Sequence, residues 1–489
     1  MRKLTEASVY LEYRRGLDYK RELGLFDTVR NNENFFVGKQ WEGVRSNGLP
    51  TPVFNFLKRA VLFTVAGLTS SSAKITASAL GTAPDGAVAA VNSELDAIFE
   101  TNSLHALIRE LLRNSAVDGD GCLFVRWDAD RPNGAGRQGA VTTEVVENSR
   151  VFFGNVNSRH VQEQPYIIVS HRVMIGDARE TALQNGADPA LVLPDSDAEL
   201  LPRELREDDA RVTVLMRLWK DAQTRTVWCC ESAKGVMLRS PWDTGLALYP
   251  LIWLPWDYIR NSYHGQAMIT GLIPNQVFVN KLFAMSMISL MTTAYPKVVY
   301  DRARIAKWDN RVGAAIPVLG GDVTGAARII DPAHVSPQIA QFIDAAISYT
   351  QTFLGATPAA LGEVRPDNTS AIIALQKASA VPNELTRANL YQALEDLGRI
   401  YIDFMRAYYG ERAFGDKHFD FERLGGFELS LKLDVGASAY WSELASMNTL
   451  DNLLVRGKIS FEDYLERVPD GYIPAKRELL EKIKSPASL

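Results

Sequence analysis

The sequence predicts a mixed α+β chain, with helices towards both ends and strands in the middle. Up to about residue 118, and again after Tyr263, apolar residues recur every three or four positions, the spacing of an amphipathic helix. Between Cys122 and Trp256 the pattern changes to a period of two in segments rich in Val, Ile and Tyr, which is typical of strands. A chain of 489 residues is too long for one compact core, so two or more domains are expected.

The N-terminal part is predicted to form several helices. An amphipathic helix is expected from Thr5 to about Arg30, with apolar residues at helical spacing among charges. Another begins near Val53, after Pro52, and ends near Gly67. Two further helices are separated near Asn102. The residues expected on the apolar face of the first helix are Val9, Tyr13, Leu17 and Leu23.

The central part is predicted to contain five strands joined by polar turns. Between the first two strands, GAGRQG matches a dinucleotide-binding fingerprint, but polar residues precede it and a strand pattern follows, so a hairpin loop is predicted. DGDG, at Asp118–Gly121, lacks the remaining ligands of a calcium loop and is predicted to be a turn between a helix and a strand. Residues 180–210 form an acidic, partly helical insertion. The predicted strands are CLFVRWD, AVTTEVVE, YIIVSHRV, RVTVLMRLW and RTVWCCES.

The C-terminal half returns to helix. One long helix is predicted from Gly265 to Thr293, and a second begins at Ser336, with Pro337 in its first turn, and stops at Gly355. A very long helix from Thr369 to Tyr409 should be kinked at Pro382. A strand pair is expected within residues 417–435, followed by three small helices with a capping box at Ser460–Asp463.

The stretch VNKLFAMSMISLMTTAYPK poses a specific problem. It carries no charge between Lys281 and Lys297, and its apolar residues lie on every face of a helix, so the whole helix must be covered. The uncharged run of about 15 residues is shorter than the roughly 20 that span a bilayer, and it contains Ser and Thr residues. Burial against other protein is therefore expected, without a membrane.

Composition and motifs argue against an enzyme. Three cysteines without a CxxC spacing predict neither a disulfide framework nor a zinc site, and favour a reducing, cytoplasmic origin. The sequence contains no phosphate-binding loop, no HExxH and no GxSxG. The histidines have no ligand spacing. No catalytic residue, cofactor or metal site is predicted.

The charges of the chain bear mainly on how it would bind nucleic acid. The net charge of -5 disfavours tight binding through many phosphate contacts. Glu363, Arg365 and Asp367 are mixed in sign, which would favour sliding of DNA over gripping it. One basic cluster is either an ordinary solvated face or a contact for a partner or DNA, and it comprises Lys297, Arg302, Arg304, Lys307 and Arg311.

In its layout the sequence resembles the portal proteins of tailed bacteriophages. NFFVGKQWEGVRSNGLPTPVFNFLKRAV is similar to the aromatic, Gly, Gln and Trp signature of that family, followed by its Pro-led helix. ENSRVFFGNVNSRHVQEQPYIIVSHR is similar to the family's wing strands, and NSYHGQAMITGLIPNQVFVNKLFAM to the start of its first stem helix. The order of these segments is specific, and the similarity extends over nearly the whole chain.

The resemblance implies a portal fold with an α/β wing, a two-helix stem, a small mixed clip, a long kinked tunnel helix and a short helical crown. The implied segments are a wing at 1–264, stem helices at 265–293 and 336–354, a clip at 294–335, a tunnel loop at 355–368, the kinked helix with a return to the wing at 369–438, and the crown at 439–489.

The resemblance also implies a function. Portal proteins form a ring, usually of twelve subunits, at one capsid vertex in the virion, after synthesis in the host cytoplasm. The ring is a channel for double-stranded DNA during packaging and ejection, and its implied partners are the major capsid and scaffolding proteins, the terminase and the head–tail adaptor. On this basis the tunnel loop would present Glu363, Arg365, Asp367 and Asn368 to DNA, and the clip would contact the motor or adaptor through the basic cluster. Packing between subunits is expected at Phe283, Met287, Leu290, Phe342, Ile343 and Ile347.

Two alternatives differ in class. A motor ATPase or nuclease subunit of DNA packaging should carry a phosphate-binding loop, which the sequence lacks. A membrane-associated pore would use the apolar helix near Leu282–Tyr295 as its anchor.

Overall fold

The computed structural model contains helices and strands in both halves of the chain, which confirms the α+β prediction. The chain divides into two compact units. The first unit is Met1–Asn32, Ala60–Thr270 and Leu354–Leu489, and the second is Glu33–Arg59 and Gly271–Phe353. The structure describes residues 4–46, 48–69, 74–82, 84, 86–133, 137–195, 211–294, 297–309, 311, 313–321, 323–330, 338–353, 383–414, 417–434, 440–468, 476 and 479–480.

Helices and strands are numbered in chain order among the described residues. The helices are α1 Glu6–Glu22, α2 Leu25–Val37, α3 Phe56–Leu68, α4 Ala87–Thr101, α5 Leu104–Asp118, α6 Ile175–Gln184, α7 Ile273–Ala294, α8 Gln338–Phe353, α9 Glu384–Tyr408, α10 Tyr440–Val455 and α11 Phe461–Arg467. The strands are β1 Lys74–Leu80, β2 Asp120–Asn133, β3 Arg137–Val146, β4 Val151–Phe153, β5 Ile167–Met174, β6 Arg211–Lys220, β7 Val227–Ala233, β8 Val236–Asp243, β9 Leu251–Pro255, β10 Val298–Tyr300, β11 Ala327–Ile329, β12 Glu411–Phe414, β13 Lys417–Asp420 and β14 Glu428–Asp434.

The N-terminal amphipathic helix is shorter than predicted. Thr5 and Ser8 form a capping box that starts α1, and Gly24 with φ of +64° separates it from α2. The predicted helix to Arg30 is therefore two helices, and Leu23 is exposed at the break. The remaining predicted apolar face, Val9, Tyr13 and Leu17, is buried against Phe152, Ile168, Leu215 and Cys230 of the central strands.

The central strands form two antiparallel sheets in the first unit. One has the order β4-β5-β6-β7-β8 and the other β3-β2-β9. All five predicted strands are present, and the structure adds β4, β8 and β9 to these sheets. β9 is buried at every position, so it lacks the alternation that marks a half-buried strand, and β4 is only three residues long.

DGDG lies in a turn, as predicted, whereas the predicted loop at GAGRQG is only partly described. Its first three residues lie outside the described residues, and its last three begin β3, where Gly139 has φ of +89° and an added Cβ would lie 2.1 Å from the Trp127 ring. DGDG joins α5 to β2, with Gly119 at φ of +100°. The dinucleotide-binding and calcium-loop interpretations therefore have no structural support at these positions.

The predicted strand pair at 417–435 is wrong in its pairing. β13 pairs with β12, whereas β14 pairs with β1 in the register Lys74↔Asp434. A 3-10 turn, Phe421–Gly426, separates β13 from β14, and Asp420 starts it by accepting a hydrogen bond from the Glu422 amide. The capping box at Ser460–Asp463 is confirmed at the start of α11.

The long helices also differ from the predicted bounds. α7 begins at Ile273 instead of Gly265, because Gly265 lies in a close-packed, non-helical segment where an added Cβ would be 2.7 Å from the Asp257 carbonyl oxygen. α8 and α9 agree with the predicted helices over the described residues. The start of each prediction, including Ser336, Pro337 and the kink at Pro382, lies outside those residues.

Candidate functional site

Helix α7 of the second unit buries two of its three amide side chains. Gln276 and Asn280, one turn apart, are both buried in this otherwise apolar helix. Gln276 Nε2 donates to the Phe54 carbonyl oxygen at 2.7 Å and to Asn280 Oδ1 at 2.9 Å. Asn280 Nδ2 donates to Gln40 Oε1 at 2.6 Å. These bonds satisfy buried polar groups that would otherwise be costly, and they fix one face of α7 against residues 40–54.

The segment opposite α7 is held by its own contacts. Asn55 Nδ2 donates to the Phe36 carbonyl oxygen at 2.9 Å, and Trp41 Nε1 donates to the Pro52 carbonyl oxygen at 2.9 Å. The Phe54 and Phe283 rings stack with centroids 3.9 Å apart. Phe283, predicted to pack between subunits, is therefore engaged within its own chain and half-buried.

The apolar side chains further along α7 are exposed. Leu290 is 69% exposed and Met287 is 40% exposed, and Met285 and Met291 are exposed as well. Consequently α7 turns Gln276 and Asn280 inwards and leaves several of its large apolar side chains outside, whereas an ordinary surface helix turns its large apolar side chains towards the core. By length and composition alone, Ile273–Ala294 is the one helix among the described residues that could cross a membrane, and one such helix is weak support for a membrane protein.

Helix α8 packs against α7 and shows a similar exposed surface. Of the three residues predicted to pack between subunits, Ile343 is buried, Ile347 is half-buried and Phe342 is 58% exposed. Tyr349 on the same helix is also exposed. Together, α7 and α8 leave a large apolar surface that the described part of the chain does not cover.

The basic cluster follows α7 in a small module around the β10–β11 ribbon. Lys297, Arg302 and Lys307 are exposed, while Arg304 is half-buried. Arg311 is exposed and forms a bidentate ion pair with Asp309, with Nη2 2.6 Å from Oδ2, and this hydrogen bonding holds the pKa of Asp309 below its ordinary value. Apolar groups are exposed beside the cations, among them Val299, Leu319, Val323 and Ile329.

The predicted tunnel-loop residues Glu363, Arg365, Asp367 and Asn368 lie outside the described residues. Within the described ranges, no group of three or more His, Cys, Asp or Glu side chains is arranged to hold a metal ion. The candidate site is therefore the surface of the second unit, formed by α7, α8 and the basic module.

Comparison with known families decides what kind of protein carries this surface. Residues 177–414 match the family model of the phage P22-like portal protein. The match supports a phage portal protein role for this chain. The matched stretch includes strands β6–β9, α7, the basic module, α8 and α9. Portal proteins are structural rather than catalytic, and the family places this protein in the virion.

Other comparisons add little to the portal assignment. No curated protein matches the sequence. Among solved structures, the portal chain is similar to a chain of the "Virion of native gene transfer agent (GTA) particle", with 12% identity over 92% of this chain and 98% of that chain. The TM-score is 0.39, which supports no conclusion about fold or function.

Sequence reasoning missed the amides that orient α7. Gln276 and Asn280 are two of the few polar residues in the first half of an apolar helix, and their spacing of four places both on one face. That spacing was a usable signal. Their partners Gln40 and Phe54, more than 200 positions earlier in the chain, had no comparable signal.

Proposed function

We propose that the exposed apolar surface of α7 and α8 is the interface through which copies of this portal protein close into a ring. The observation that supports this proposal is the inverted α7, which buries Gln276 and Asn280 and exposes Met287 and Leu290. Large exposed apolar surfaces mark interaction sites, and a closed ring would cover them with identical copies. The family resemblance favours twelve subunits.

In this proposal the ring is the conduit for the genome at one capsid vertex. Double-stranded DNA passes through it during packaging and ejection, and the net charge of -5 reduces phosphate contacts that would hold the DNA in place. Residues 355–368 form the tunnel loop, with Glu363, Arg365, Asp367 and Asn368 facing the DNA. Capsid and scaffolding proteins surround the ring in the assembling head.

The basic module at 294–335 is the proposed clip. Its exposed Lys297, Arg302 and Lys307 stand beside exposed apolar groups such as Val299 and Ile329. Cations around an apolar centre suit an interface with an acidic protein surface. We assign this surface to the terminase during packaging and to the head–tail adaptor afterwards.

The rival functions lack this kind of support. A packaging ATPase needs a phosphate-binding loop, and the sequence has none. A membrane pore would account for the exposed apolar part of α7, but it would not account for the exposed Phe342 and Tyr349 on α8, whose 16 described residues are fewer than the roughly 20 that span a bilayer.

A matched pair of variants tests the ring. Leu290→Asp places a charge on the proposed interface, whereas Leu183→Asp alters a side chain of nearly equal exposure, 68%, in the first unit. Burying a carboxylate and losing a leucine contact should weaken association at least about a hundredfold. Sedimentation should show rings for the unmodified chain and for Leu183→Asp, and monomers for Leu290→Asp. Rings of Leu290→Asp at unchanged concentration would contradict the proposal, as would a chain recovered only in detergent.

A further inference from the structure

The first unit contains a buried cluster of ionisable side chains to which the proposed portal function assigns no role. Asp120, at the start of β2, has a fully buried carboxylate. Its Oδ2 lies 2.7 Å from His264 Nδ1 and accepts from Asn148 Nδ2 at 3.4 Å, and its Oδ1 accepts from the Gly265 amide at 2.7 Å. The cluster therefore ties the loop at 262–265 to β2.

The other ring nitrogen of His264 is the unusual feature. Since the Asp120 carboxylate accepts the two amide hydrogen bonds, Nδ1 carries the proton of the neutral imidazole and donates to the same carboxylate. Nε2 is then a buried lone pair with no hydrogen-bond partner among the described residues. The ring is enclosed by aromatic groups, with the centroid of Tyr263 at 4.0 Å and that of Trp253 at 5.6 Å.

Helix α1 supplies the remaining groups that face His264. Lys20 is fully buried, and its Nζ donates to the carbonyl oxygens of Asn148 at 2.6 Å and Val151 at 2.7 Å. Tyr19 stacks on His264 at 6.3 Å, and its hydroxyl lies 3.2 Å from Ser262 Oγ. The cluster therefore also joins α1 to the 262–265 loop.

Protonation of His264 would disturb this arrangement. A proton on Nε2 would be a buried donor without an acceptor, and the new charge would face the Lys20 ammonium as well as the Asp120 carboxylate. Burial lowers the pKa of His264 and outweighs Asp120, whose charge and hydrogen bond raise it, while Lys20 lowers it further. Burial likewise lowers the pKa of Lys20 well below its ordinary value, against the charge of Asp120.

We propose that His264 is a pH-sensitive lock, in which protonation of Nε2 releases the 262–265 loop from Asp120 and from α1. Above the ordinary histidine pKa of 6.5 the ring is neutral in both folded and unfolded chains, and the lock is closed. Below pH 6.5 the unfolded or opened form takes up a proton that the closed form resists. The closed form therefore becomes less stable as the pH is lowered. The loop leads along the chain towards α7, the proposed first stem helix.

Hydrogen exchange on the full-length protein tests the lock. After correction for intrinsic rates, peptides covering residues 258–268 and 15–24 should exchange about tenfold faster at pH 5.0 than at pH 7.5, because the opened form takes up a proton that the closed form resists. In His264→Asn the side-chain amide can still donate to Asp120 but does not titrate. Its protection should therefore change less than about twofold between the two pH values.

Two further variants and one measurement separate this lock from other histidines. His171 is the other described histidine whose pKa is lowered by burial, and His105 is exposed. His171→Asn and His105→Asn should both keep the acid response of the two peptides.

In the unmodified protein, deuterium exchange at the imidazole C2–H of His264 should titrate below pH 6.5, a measurement that does not depend on the folding of any variant. Equal protection at both pH values, an acid response retained in His264→Asn, or a C2–H titration at or above 6.5 would overturn the proposal.

Discussion

Asn280 Nδ2 lies 2.6 Å from Gln40 Oε1, and this bond joins residues 240 positions apart in the chain. Together with Gln276 it determines which face of α7 is turned towards residues 40–54. The apolar face is then left outside, where the proposed ring would bury it. A polar network of this kind specifies an orientation that hydrophobicity alone does not, because α7 is apolar on most of its surface.

Replacing Asn280 with leucine should loosen the second unit. The change leaves Gln40 Oε1 and Gln276 Nε2 short of partners in a buried setting, at a cost of about 1–3 kcal/mol. Peptides covering residues 33–59 should exchange their amide hydrogens about tenfold faster. Asn275→Leu alters an exposed amide on the same helix and should leave exchange unchanged. Equal exchange rates in the two variants would show that the network does not hold α7.

Replacing Lys20 with methionine should destabilise the first unit. Methionine fills most of the volume but removes the Lys20 donor from the buried carbonyl oxygens of Asn148 and Val151, of which Val151 keeps the Tyr263 hydroxyl at 3.2 Å, at a cost of about 3 kcal/mol. Amides of α1 should then exchange roughly a hundredfold faster in the variant. Arg14→Met, at an exposed position on the same helix, is the control. If the amides of α1 exchange as slowly in Lys20→Met as in the control, the Lys20 ammonium makes no net contribution to the stability of the first unit.

The cysteines should be inert in the folded protein. Cys122, Cys229 and Cys230 are buried, and burial raises the pKa of all three thiols, that of Cys230 to about 11. At pH 8 about one Cys230 thiol in a thousand would be ionised, and a disulfide reagent has no access to it. In native buffer we expect none of the three thiols to react with a disulfide reagent within minutes. In guanidinium, which unfolds the chain, all three thiols should react.

A variant with an exposed thiol makes the cysteine measurement interpretable. Ser240 is exposed on β8, so Ser240→Cys should react immediately while the native cysteines remain silent. A native thiol that reacts as fast as this added cysteine would show that the sheet opens on the time scale of labelling.

The central strands that were predicted, such as β6 and β7, contain positions that are not buried. β9, by contrast, is buried throughout and was not predicted. The pairing of β14 with β1 joins segments about 350 positions apart, for which the local pattern carries no information. Separation along the chain therefore made it harder to predict which strands pair than to predict where the strands lie.

The candidate site shows the same limit. The uncharged run correctly indicated a helix, and the covering of its apolar side chains by other subunits through Met287 and Leu290 remains a prediction. The buried face of α7 could have been inferred from the spacing of its two amides, but their acceptors and donors lie in another segment. Likewise DGDG indicated a turn, while nothing local indicated that Asp120 meets His264, 144 positions later.

Direct observation of the assembly tests the central claim that α7 and α8 are covered by identical copies. Purified protein should sediment as a single large species, and electron microscopy of end views should show a closed ring with a central channel, with twelve-fold symmetry favoured by the family resemblance. In such a ring, a map should place the exposed faces around Met287 and Leu290 against neighbouring subunits. A monomer that persists at high concentration, or a ring in which these side chains face solvent, would contradict the account.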